Sequence, residues 1–114
     1  MAFLLKDMPE YEITEETRHY LDAILHTFTY PQKINYIRGA ILNVVKYENG
    51  DASDVNINRL ERLVRQFLSK YGFGHEEDYV YIIDKKGMDL KDCGSLSDFE
   101  DKLKNSNGDI SVIL

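Results

Sequence analysis

Residues 57–71 read Ile57-Asn58-Arg59-Leu60-Glu61-Arg62-Leu63-Val64-Arg65-Gln66-Phe67-Leu68-Ser69-Lys70-Tyr71, and their patterning decides the fold. Set at steps of about 100° around a helix axis, Leu60, Leu63, Val64, Phe67, Leu68 and Tyr71 fill one side. Arg59, Arg62, Arg65, Gln66, Ser69 and Lys70 fill the other. An apolar stripe of this kind must bury itself against something, so the stretch is a core helix with a cationic outer face. Gly72 stands where a left-handed C-terminal residue belongs, and Phe73 can fold back on the last turn.

Upstream, the pattern gives two more helices. Thr14 can cap a helix whose first turn holds Glu15 and Glu16, both favourable to the macrodipole. Leu21, Ile24, Leu25 and Phe28 recur at helical spacing. The helix must stop near Thr29 or Tyr30, because a residue before proline is biased away from the α region. Pro31 suits the first position of the second helix. Ile34, Ile37, Ile41, Val44 and Val45 form that helix's stripe, and Asn49-Gly50 ends it.

Downstream of Gly72 the character changes. Tyr79-Val80-Tyr81-Ile82-Ile83 is β-branched and aromatic, which suits a strand. Asp84-Lys85-Lys86-Gly87 fits a hairpin loop closed by a positive-φ residue, with Met88 and Leu90 on a return strand. Ser97 and Glu100 have capping-box spacing ahead of a short helix that buries Phe99 and Leu103. Ile110-Ser111-Val112-Ile113-Leu114 reads as a final strand. The expected class is α+β: a three-helix N-terminal part packed against a small C-terminal region with a β-hairpin, a short helix and a final strand. With 114 residues, one domain is expected over 1–114, helical in 1–72 and strand-containing in 73–114.

Composition narrows the function classes. Hydrophobic content of 43% and charged content of 30% place the chain among globular rather than disordered sequences. The single cysteine, Cys93, excludes an internal disulfide and suits a reducing, cytoplasmic setting. The N-terminal apolar run is too short for a secretory h-region, and no run reaches the roughly 20 apolar residues of a membrane span. Abundant Asn, Lys, Ile and Tyr fit an AT-rich bacterial or phage genome.

The net charge of −6 is segregated. Residues 31–72 are net basic between two acidic flanks. That acidity argues against non-specific nucleic-acid binding by the whole chain, though not against a local basic face.

Four groupings are candidates for chemistry. His19, Asp22 and His26, with Glu15, share a face of the first helix and are metal-binding residue types, but that face is opposite the apolar stripe and lacks a further ligand. Cys93 stands between Lys91 and Asp92 with no histidine nearby, and His75 sits among Glu76, Glu77 and Asp78. Neither metal nor cofactor is expected. Glu12-x-x-Glu15 and Glu48-x-x-Asp51 resemble the paired acidic motifs of all-α nucleotide pyrophosphohydrolases. Those motifs need both members of a pair on one helix face, whereas the second pair spans the helix end at Asn49-Gly50. Gly108-Asp109-Ile110-Ser111-Val112-Ile113-Leu114, after a short helix, resembles the last helix and strand of barstar-type immunity proteins, over the end of the chain only.

The sharpest surface feature is the ridge of Arg59, Arg62 and Arg65, with Lys70. It would be solvated, pair with the chain's own acidic flanks, or bind a partner. As a partner-binding site it suits an acidic protein, since guanidinium forks match carboxylates. Tyr11, Tyr20, Tyr36, Tyr47 and Tyr79 are not all needed inside and leave aromatics for an interface. The expected function is a small non-enzymatic protein-binding factor of the inhibitor, immunity or regulatory kind. The alternative is a winged-helix-like DNA-binding regulator with the third helix in the groove and Lys85-Lys86 at the wing tip. The open edge of a final strand would also suit pairing of two copies.

Overall fold

The computed structural model describes residues 11–105. Three helices come first: α1 (Glu15–Ile24), α2 (Ile34–Tyr47) and α3 (Asp54–Lys70). An antiparallel hairpin follows, β1 (Gly74–Glu77) with β2 (Val80–Ile83), and then α4 (Lys85–Cys93) and α5 (Leu96–Asn105). The architecture is α+β, as the patterning requires. The expected final strand at 110–114 lies outside the described residues.

Local chemistry sets most helix ends. Thr14 Oγ1 accepts the Thr17 N–H at 3.1 Å and opens α1. That helix tightens into a 3₁₀ turn at Leu25–Thr27, where the Thr27 hydroxyl donates back to the Ile24 carbonyl at 2.7 Å. Ser53 opens α3 by accepting the Asn56 N–H at 3.4 Å. At its other end Gly72 takes φ +77°, and the Phe73 N–H reaches the Leu68 carbonyl at 2.8 Å. This is the glycine-terminated closure expected from the sequence, with Phe73 fully buried.

Three local expectations are corrected. Pro31 does not start α2, which begins three residues later with Lys33 at its N-cap. The Tyr30–Pro31 bond is cis, and the connection folds around the buried Gln32 amide. Its Oε1 accepts the Thr29 N–H at 3.0 Å and the Thr29 hydroxyl at 3.1 Å.

The hairpin exists but uses the preceding residues. Val80–Ile83 pairs back with Gly74–Glu77 around Asp78-Tyr79, both at positive φ, a primed two-residue turn without its usual glycine. Asp84 then becomes the N-cap of α4, so Lys85–Cys93 is helix and not turn plus return strand. Gly87 is required for close packing and not for a turn. A Cβ there would lie 2.3 Å from the Phe73 carbonyl oxygen and 2.5 Å from Ile83 Cγ2.

The capping residue of α5 is Ser95, whose Oγ accepts the Asp98 N–H at 3.0 Å. Ser97 and Glu100 instead both receive Arg18 from α1, at 3.1 and 2.9 Å.

One hydrophobic core runs through both parts of the molecule. Leu21, Ile24, Ile37, Ile41, Val45, Leu60, Val64 and Leu68 fill the three-helix side. Phe73, Tyr81, Ile83, Leu90, Leu96 and Phe99 continue it under the hairpin and the last two helices. Tyr11 closes one end, packed on Phe67, Tyr71 and Phe73 with ring centroids 5.0–5.9 Å away.

Candidate protein-contact surfaces

α3 places its arginines outward, as its periodicity requires, but most are engaged by the chain itself. Arg59 grips both carboxylate oxygens of Glu16 at 2.6 and 3.1 Å and also bonds Asn56. That contact is the main reason the Glu16 carboxyl titrates below its ordinary value. Arg65 is half-buried; it pairs with Glu61 at 3.4 Å and with Glu76 of β1, and its guanidinium lies 5.7 Å from the Tyr81 ring centroid. Lys70 lies 3.8 Å from Glu12 and over the Tyr71 ring.

Among the described residues of the ridge, only Arg62 is exposed without a polar or charged partner. It borders a cleft of about 260 Å³ with Arg65, Gln66, Ser69 and Glu76. Exposed pairs of this kind contribute little to stability, because solvent screens them. Their larger effect is on the field, since each guanidinium is neutralised in place.

The expected wing is altered as well. The hairpin carries His75, Glu76, Glu77 and Asp78, so its tip is acidic. Lys85 and Lys86 begin α4. Lys86 turns inward, donating to the Tyr71 carbonyl at 3.0 Å and lying 4.8 Å from the Phe73 ring centroid. Burial there lowers its pKa.

The remaining candidates are dispersed. His19 pairs with Glu48 across α1 and α2 at 2.7 Å, while Asp22 accepts the Leu96 N–H at 2.9 Å. His26 is exposed, so the three residues of that face do separate things. No group of three or more metal-ligating side chains converges among the described residues. Glu48 caps the end of α2 and Asp51 bonds the Ser53 N–H in the next loop, so this acidic pair does not share a helix face. Cys93 is half-buried at the end of α4. His75 bonds Asp84 through Nδ1 at 2.9 Å and Glu77 through Nε2 at 3.2 Å, which raises its pKa, Asp84 contributing most.

A second surface lies on α2. Tyr36, Ala40, Asn43 and Tyr47 fall on one stripe, beside Gly39 and Val44. Tyr36 is 57% exposed, Tyr47 89% and the nearby Tyr30 68%. Two clefts share Thr27, Ala40 and Asn43 and run end to end along this stripe. One, about 440 Å³, reaches Val44, Tyr47 and Glu48; the other, about 350 Å³, reaches Tyr36 and Gly39. The stripe itself carries no charge, in contrast to α3. The spare aromatics at 36 and 47 were visible in the sequence; the small-residue floor between them was masked by Ala40 doubling as a core residue.

No protein-family model, curated protein or solved structure matches this chain. No helix among the described residues is long and apolar enough to cross a membrane.

Proposed function

We propose that the protein is a small non-enzymatic binding factor of the inhibitor, immunity or regulatory kind, contacting another protein through the tyrosine face of α2. The observation that carries this is the uncharged stripe Tyr36-Ala40-Asn43-Tyr47 with an open cleft on either half. Tyrosine supplies large contact area at low entropic cost, and interface cores are depleted in charge. The cationic ridge is the weaker contact surface, because Arg59, Arg65 and Lys70 already have carboxylate partners. The same pairing, with an acidic hairpin tip, speaks against the DNA reading, since phosphate would have to displace Glu16 and Glu76.

Affinity capture from native lysate tests the reading. Tyr36→Asp and Tyr47→Asp should each abolish a complex that the wild-type chain forms, with the helical circular-dichroism signal kept. Loss on replacing Arg59, Arg62 and Arg65 instead would move the contact to α3. Salt-sensitive binding to duplex DNA, lost with those same arginines, would favour the regulator alternative.

A further inference from the structure

We infer that the partner seated on the tyrosine face is a second copy of this chain, packed with its α2 antiparallel to the first; this rests on reading that face as a protein contact. The spacing of Tyr36, Ala40, Asn43 and Tyr47 is four, three and four residues, the a/d repeat of a coiled-coil seam, with Tyr36, Asn43 and Tyr47 exposed and the buried Ala40 forming the floor between them. The stripe is also symmetric about its midpoint between Ile41 and Leu42. A twofold axis there sets Tyr36 level with the second copy's Tyr47, and Ala40 level with its Asn43. Self-complementarity of this kind is what a twofold interface demands, because one patch must serve both sides.

The clefts obey the same symmetry. One lies between Asn43 and Tyr47 and the other between Tyr36 and Asn43, so each can receive a tyrosine from the opposite chain. Tyr36 of the second copy would enter the cleft of Val44 and Tyr47. Its Tyr47 would enter the cleft of Tyr36 and Gly39, where no atom occupies the space above the glycine within 4 Å. Paired asparagine–alanine layers at the centre would fix the register, as a single polar seam residue does elsewhere.

Charge at the helix ends selects the same orientation. α2 has the cation Lys33 at its N-cap, with no side-chain capping bond, and the anion Glu48 at its C-cap. Both oppose the macrodipole of their own helix. Antiparallel pairing brings Lys33 of each copy to the Glu48 end of the other, whereas parallel pairing sets like charges together. The His19 ring already faces Glu48 from α1 and leaves the carboxylate accessible at the surface.

Sedimentation equilibrium on the full chain tests this. The expected result is a reversible dimer for the wild type, and self-association at least about tenfold weaker, near 1.4 kcal/mol, for Asn43→Arg. Tyr47→Asp should act alike, and serves if Asn43→Arg does not fold. Orientation is read by mixing Tyr36→Cys and Tyr47→Cys chains, each also carrying Cys93→Ser, under oxidation. Antiparallel pairing gives the mixed disulfide; a parallel pair gives the two homodisulfides and overturns the geometry. A wild-type monomer up to submillimolar concentration overturns the self-association. In that case, a complex with another protein that Tyr36→Asp still abolishes would leave the contact surface standing, and its absence would remove both.

Discussion

At the scale of single residues, Gly87 separates two readings of the same stretch. In a loop of positive φ, alanine would be strained by its backbone. In a helix, it would ordinarily be favoured by up to about 1 kcal/mol. Here the helix packs so closely on Phe73 and on Ile83 of β2 that a Cβ meets the Phe73 backbone. Gly87→Ala should therefore destabilise by about 1–3 kcal/mol, read by denaturant midpoint. Unchanged or raised stability would mean that α4 stands further from the sheet. Tyr79 gives the opposite sign. It is fully exposed at φ +68°, so it contributes backbone strain and no packing. Tyr79→Gly should stabilise by about 1 kcal/mol, the strain relieved less the extra unfolded freedom of glycine.

At the scale of elements, α3 was legible in its body and at its end because its stripe is long and Gly72 marks the stop. Its first turn from Asp54, capped by Ser53, reads as polar loop in the sequence and lies ahead of the 57–71 stretch. The hairpin was half legible. Tyr79–Ile83 has strand composition, but its partner Gly74–Glu77 is glycine, histidine and two glutamates, of poor β propensity. Its turn also lacks a glycine, while the misleading glycine at 87 follows two lysines in a turn-like setting. Tertiary packing around Phe73 decided what local propensity could not. α2 was placed correctly in its body but its start was misjudged, since Pro31 is a common first helical residue and the buried Gln32 amide leaves no periodic trace.

The hairpin also makes a pH prediction. His75 has a folded pKa raised above its ordinary 6.5 by Asp84 and then Glu77. A group raised on folding contributes stability that is present below its unfolded value and fades as pH rises through the folded one. Stability should thus decline across that window above pH 6.5, slightly, because the ring is exposed. Proton NMR of His75 should give a midpoint above 6.5, and Asp84→Asn should lower it.

At the scale of the whole molecule, the core passes without a break from the three helices into the hairpin and the two closing helices. Leu68, fully buried on α3, belongs to that shared core. Leu68→Ala should cost about 2–5 kcal/mol. Both halves should lose that stability together, with far-ultraviolet and aromatic signals melting at one shifted temperature. Two separate transitions would show that residues 73–105 fold apart from the helices. The charge layout belongs to this scale too. The segregation of basic middle and acidic flanks was plain in the sequence, but its purpose was not, because residues 16 and 59, or 65 and 76, become neighbours only in the folded chain.

The chain contains eight tyrosines and no tryptophan. Its phenols are therefore the dominant near-ultraviolet chromophore, and the fold has sorted them by access to water. Tyr47 and Tyr79 stand at the surface, while burial pushes Tyr11, its hydroxyl enclosed and unbonded, up to a pKa of about 12. In an alkaline absorbance titration, the late rise would then report whether Tyr11 is still seated on the aromatic end of the core.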